Sequence, residues 1–151
     1  MSAHLAEITN TQNVIDTTAG AAAQTTIEST VTSLNSAQGI KYTVKMGAIA
    51  STAVTSLKIQ LASDLLFTTA QDLAGSSFVI ADDDDGKTFV LDAWQAGDDP
   101  PLPFARLVVL RGTADATVES AFSETYGLDE MPSDNSDAEV KLVTFETPGT
   151  P

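Results

Sequence analysis

The sequence predicts an all-β protein, a β-sandwich or jelly roll with extended amino- and carboxy-terminal arms, and three observations predict it. Apolar and polar residues alternate at the period of a strand, most clearly where Ile40, Tyr42, Val44 and Met46 face one way and Lys41, Thr43 and Lys45 the other. Breaks rich in Gly, Pro, Asp or Ser recur at the short intervals expected of a sandwich. No segment carries a convincing amphipathic-helix period.

With 151 residues the chain suits one core with appendages. We divide it into an amino-terminal arm over 1–24, a sandwich over 25–128 and an acidic, Pro-containing carboxy-terminal arm over 129–151. The first predicted strand sets Thr25, Ile27, Ser29 and Val31 against Thr26, Glu28 and Thr30, and its β-branched content disfavours a helix. The strand over 40–46 ends at Gly47 in this reading. It pairs antiparallel with a second over 57–61, where Leu57, Ile59 and Leu61 oppose Lys58 and Gln60. Residues 65–73 fit a short helix or a loop equally well.

Ser77–Ile80 and Phe89–Leu91 read as strands flanking a turn at Asp82–Lys87, because aspartate tolerates turn geometry and Gly86 supplies a positive φ. Prolines at 100, 101 and 103 interrupt the ladder. Phe104–Arg111, apolar at nearly every position, reads as a central strand buried on both faces. In the last core strand Val118, Ser120 and Phe122 share one face, and Glu119, Ala121 and Ser123 share the other. Within the final arm, which holds six acidic residues, one lysine and three prolines, Glu139–Phe145 has the character to join a sheet edge of its own molecule or of a neighbour.

Composition narrows the function. A net charge of −14, from 21 acidic and 7 basic residues, repels phosphate backbones and anionic lipid, so neither nucleic acid nor membrane is an expected partner. The absence of cysteine removes disulfides, thiolate metal sites and thiol nucleophiles. The Met1–Glu7 segment has neither a cationic nor an apolar signal region, which reads as a product without a secretion signal.

Catalysis needs convergent groups of tuned pKa, and a single histidine, His4, lies near the amino terminus. No Gly-rich phosphate loop is present. The expected protein is therefore not an enzyme and carries no cofactor. Asp82, Asp84 and Asp85 are weak candidates for an oxygen-ligated cation, but the spacing does not fit a calcium loop, and a solvated turn explains the run better. Trp94 is either an anchor for a partner or a plug over the open end of its own sandwich. Interface candidates are Trp94, Pro101, Val140, Leu142 and Phe145. Arg106 and Arg111, five residues apart, face opposite sides of the sheet on strict alternation and suit pairing with local carboxylates.

The order Ile40–Gly47, Leu57–Asp64, Asp84–Phe89, Phe104–Leu110 and Ala116–Phe122, closing on Tyr126-Gly127 and a Pro132-containing tail, resembles head decoration or stabilisation proteins of tailed bacteriophages. The resemblance rests on a β-pattern; the acidic extension over 129–151 goes beyond it. It implies a jelly-roll or sandwich protein on the capsid exterior, bound to the major capsid protein and to itself, with a homotrimer favoured. Such a protein is made in the host cytoplasm and stabilises the filled head by binding only the assembled lattice. Two other readings remain: a tail-tube or head–tail joining virion component, and a carbohydrate-binding surface module built on Trp94, Tyr42, Tyr126 and a calcium turn.

Overall fold

The computed structural model describes residues 9–16, 26–34, 37–51, 53, 55–94, 102–112 and 116–127. Among them every regular element is a strand: β1 Thr9–Ile15, β2 Thr26–Glu28, β3 Thr32–Ser33, β4 Gly39–Ile49, β5 Thr55–Ala62, β6 Gln71–Asp72, β7 Phe78–Ile80, β8 Thr88–Trp94, β9 Phe104–Leu110 and β10 Ala116–Tyr126. The predicted all-β sandwich is the observed fold. The carboxy-terminal arm, with Val140, Leu142 and Phe145, lies outside the described residues, as does Pro101. Within the segment assigned to the amino-terminal arm, Thr9–Ile15 is a strand of the sandwich.

Two antiparallel sheets carry the strands. One runs β1-β10-β4-β8; the other places β9 and β5 at its centre, with β2 and β3 sharing the far side of β9 and β6 and β7 sharing the far side of β5. Between them lies a core that includes Tyr42, Val44, Met46, Leu57, Ile59, Leu107, Val109 and Val118, all at most 1% exposed. Full burial of a single such aliphatic chain contributes about 1.5–3 kcal/mol.

Several expectations need correction. The strands over 40–46 and 57–61 do not pair: β4 lies between β10 and β8, and β5 between β9 and the split pair β6/β7. Both have strong one-sided alternation, which requires a partner across the core as much as beside the strand, and the chain between them crosses from one sheet to the other. The Asp82–Lys87 turn likewise crosses sheets, since β7 pairs with β5 and β8 with β4. Gly47 does not end its strand. β4 continues to Ile49, which pairs with Ala116, through two adjacent register shifts, Ala116/Val118 and Val118/Ser120.

Those bulges also reset the phase of β10, because a one-residue slip moves every later side chain to the other face. Glu119 and Ser120 are both exposed, after which Ala121, Ser123 and Thr125 are buried, so buried Val118 shares its face with Ala121 and Ser123 and not with Ser120 and Phe122 as the alternation predicts. The predicted strand over 25–31 is broken in a similar way. β2 and β3 flank a gap, and Thr32 rather than Val31 is buried. Residues 65–73 form a loop carrying β6, and β8 continues through Trp94.

Both gaps in the second sheet are repaired by a serine. Ser29, between β2 and β3, accepts Leu107 N–H on its Oγ at 2.8 Å and donates its own N–H to the Leu107 carbonyl at 2.9 Å. Ser76, between β6 and β7, accepts Ile59 N–H on its Oγ at 3.0 Å. A broken edge would otherwise leave these two buried N–H groups without acceptors. Along the margin where the edges of the two sheets meet, Thr30 N–H bonds the Val14 carbonyl at 3.0 Å. At the opposite margin Phe78 of β7 meets Phe89 of β8 edge-to-face, ring centroids 5.5 Å apart.

Candidate functional site

The outer face of the first sheet is built as a grid. Alternation turns Thr88, Val90, Asp92 and Trp94 of β8 outward, and the ladder sets them beside Lys45, Thr43, Lys41 and Gly39 of the central strand β4. On the far side of β4 stand Ser120, Phe122, Glu124 and Tyr126 of β10. The rows that result differ in chemistry: Trp94, Gly39 and Tyr126; then Asp92, Lys41 and Glu124; then Val90, Thr43 and Phe122. Cross-strand neighbours on one face interact directly, so each row behaves as a unit.

The aromatic row depends on Gly39. Because that residue lacks a side chain, the indole of Trp94 and the phenol ring of Tyr126 close over it and stack at 5.4 Å with 13° between their planes. A β-carbon on Gly39 would overlap the Tyr126 ring. Trp94 is still 58% exposed, so it is neither buried nor a plug over the sandwich end. The Tyr126 hydroxyl donates to Asp92 Oδ1. Burial, then this hydrogen bond and the Asp92 charge, hold the Tyr126 phenol above its ordinary value of 10.0.

In the second row Lys41 Nζ pairs with Glu124 at 3.3 Å. In the third, Val90 is 50% exposed and half-buried Phe122 stands on the other side of Thr43. An exposed Trp, an exposed Val, a Lys41–Glu124 ion pair and an Asp92 carboxylate held by Tyr126 share one sheet face and form a surface suited to gripping another molecule. Aromatic and aliphatic anchors supply most interface energy, and a fixed charge row supplies orientation.

Tyr42 takes no part in this face. It is fully buried, its hydroxyl makes no hydrogen bond of ordinary geometry, and burial raises its phenol with Thr32 offsetting part of the effect. Asp82, Asp84 and Asp85 stand in the turn between β7 and β8. There Asp84 accepts Ala81 N–H at 3.0 Å and pairs with Lys87, Asp85 accepts Ile49 N–H at 3.1 Å, and Gly86 takes a φ of +71°. Lys45 Nζ reaches the Gly86 carbonyl. Two of the three aspartates therefore fasten the turn to itself and to β4. Among the described residues no group of three His, Cys, Asp or Glu side chains is placed to hold a metal ion.

Arg106 lies between Glu28 at 2.9 Å, Gln60 Oε1 at 2.8 Å and the ring of Phe67, 4.5 Å from its centroid. The expected pairing of Arg106 with a local carboxylate holds. Arg111, beyond the end of β9, is 1% exposed.

Sequence reasoning found Trp94 but not its setting. Only Tyr126 was grouped with it, in the carbohydrate-binding reading; Gly39, Val90, Asp92 and Phe122 were not, although Gly39 shares the parity of Lys41 and Lys45, the signal that would have put a glycine on the outer face. No protein-family model matches the chain, and no curated protein matches it.

Proposed function

We propose that this chain is a non-catalytic structural module that binds other protein subunits through the outer face of β8, β4 and β10, and that it serves as an exterior subunit of a tailed-phage head. The observation that carries the reading is the exposure of Trp94 and Val90 on either side of Asp92 on the outer face of β8, a face over which no described strand lies. A sandwich whose outer sheet face carries exposed Trp94 and Val90, with a long acidic segment beyond its last core strand, suits a clip that spans neighbouring capsomers. Weak contacts repeated around a homotrimer add up through avidity. The net charge of −14 suits a partner surface rich in lysine and arginine.

Mass spectrometry of separated heads and tails from the particle that carries this chain tests the placement. Recovery with the heads is expected, with Trp94→Ala and Val90→Asp each lowering retention about 10-fold or more, as loss of an interface anchor does. Recovery with tails alone would overturn the head placement in favour of the tail-tube or joining reading.

A second reading has one observation in its favour. Trp94 also borders an open cleft of about 280 Å³ lined by Ile59, Leu73, Leu91 and Asp92, and a flat indole beside a carboxylate is a platform for a sugar ring. Tyr42, buried in the core, cannot contribute to such a platform. A glycan array answered by the wild type and lost in Trp94→Ala would favour this reading.

A further inference from the structure

We infer that Trp94 and Asp92 together receive one arginine side chain of a partner protein, its guanidinium over the exposed indole and against the carboxylate, its stem in the cleft beside them. The inference rests on the docking-face reading for its partner and names the group that the face takes. Three observations carry it.

The first is a charge left over. Asp92 and Glu124 flank Lys41 on the outer face, and the Lys41 ammonium goes to Glu124 at 3.3 Å. Asp92 keeps only the neutral Tyr126 hydroxyl, which donates to Oδ1. Lys45 and Lys87 are fastened to the β7–β8 turn, Lys58 to Asp72 and Arg106 to Glu28. Among the described residues no cation pairs with Asp92, which is exposed. A carboxylate oriented by one neutral hydrogen bond presents its full charge to a cation from outside.

The second is the indole. Tyr126 stacks on it and fixes its plane, yet Trp94 stays more than half exposed, so much of the ring is open to a ligand. Of the aromatic side chains an indole attracts a cation most strongly. Asp92 and Trp94 stand two residues apart on one face of β8, which sets their Cα atoms about 6.5–7 Å from each other. A guanidinium within about 6 Å of the ring centroid and hydrogen-bonded to the carboxylate at about 2.8 Å spans that interval.

The third is the cleft. Its volume is about 280 Å³, and it is lined by Ile59, Leu91 and Ala93, by the Leu73–Ser76 turn, and by Asp92 and Trp94. Asp92 is the single ionisable side chain of that lining. The Ser76 hydroxyl is already engaged, accepting the Ile59 N–H and donating to the Leu73 carbonyl. A mostly apolar wall with one anion at its rim matches a methylene stem that ends in a cation.

Arginine suits this arrangement better than lysine or a sugar. Its planar head stacks flat on an indole while donating to a carboxylate in its own plane, which a compact ammonium cannot do. A sugar ring needs several polar partners, and the lining offers one carboxylate. The net charge of −14 also draws a cationic partner surface toward the face.

Titration of the full chain with N-acetyl-arginine methylamide, at constant ionic strength, tests the inference. The readout is the Trp94 indole N–H, a single resonance because the chain has one tryptophan. A saturable shift is expected, half-complete on the order of tens of millimolar. N-acetyl-citrulline methylamide, of the same shape without the charge, should bind about 10-fold more weakly. Asp92→Asn, which keeps an acceptor for Tyr126, should weaken the arginine probe about 3-fold. Equal responses to the two probes, no saturable shift, or saturation by methyl glucoside at a lower concentration would each overturn the inference. Such a failure leaves the head placement standing, and recovery of the chain with tails leaves the arginine result standing, so the two readings fail separately.

Discussion

The hydroxyl of Ser76 stands where the carbonyl of a neighbouring strand would stand, accepting the N–H of Ile59 at 3.0 Å, and Ser29 does the same for Leu107 on the opposite edge of the same sheet. Replacing either serine by alanine orphans a buried N–H on a central strand. We expect Ser29→Ala and Ser76→Ala each to cost about 1–3 kcal/mol, with near-additive effects in the double variant because the two sites share no partner. Urea unfolding of the three variants checks this.

The stack across Gly39 gives a second prediction. Gly39→Ala drives a β-carbon into the Tyr126 ring and should cost about 1–3 kcal/mol through overpacking. Trp94→Ala, which removes only an exposed partner of that ring, should cost about 0.5–1.5 kcal/mol. Trp94 is the only tryptophan, so its fluorescence reports the stack directly. Both Gly39→Ala and Tyr126→Leu should shift the emission.

Alkaline behaviour follows from the two tyrosines. Both phenols are raised above 10.0 in the fold, Tyr42 by burial and Tyr126 by burial together with Asp92. A raised folded value means the neutral form is favoured on folding, so the associated stability is intact below pH 10 and is lost as the pH climbs beyond it. Absorbance at the phenolate band should show no ionisation at the ordinary value until the protein unfolds. Asp92→Asn should bring the Tyr126 transition downward and leave Tyr42 in place.

Acid acts on a different region. The carboxyls of Asp64, Asp72 and Asp84 lie below 3.8, held down first by Thr68, Lys58 and Lys87 respectively. Lowered folded values give stability that is present above the ordinary carboxylate value and is lost as the pH falls through the folded ones. All three lie between β5 and β8, so that segment should loosen before the remainder of the sandwich. Exchange rates followed through an acid titration will show whether it does. Asp64 also accepts the N–H groups of Leu66 and Thr68, and Asp64→Ala should release the exposed Leu65-Leu66 tip without unfolding the core.

Much of the fold was legible because one-sided alternation survives in a sandwich with one buried face per sheet. Ile40–Met46 and Leu57–Leu61 declared themselves by that pattern, whereas Phe104–Leu110 was read from a nearly continuous apolar run as buried on both faces, and in the fold its outward Phe104, Arg106 and Leu110 are only half-buried. What alternation cannot carry is partnership: nothing in Leu57, Ile59 and Leu61 distinguishes a strand beside β4 from one across the core. The phase of β10 was lost for a related reason, since the register shift between Val118 and Ser120 inserts Glu119 into the count and leaves no compositional mark. At the candidate site Trp94 was conspicuous by rarity, whereas Gly39 and Val90 acquire meaning only through cross-strand register.

The two margins of the sandwich are not equivalent. Main-chain bonding between Thr30 and Val14 stitches one like the spine of a book, while the other meets through the ring edges of Phe78 and Phe89 and resembles the fore-edge where pages part. The fore-edge is bound at one end, where the β7–β8 turn crosses between the leaves and Asp85 accepts Ile49 N–H, so any parting of the leaves is confined to the stretch beyond it, next to Trp94.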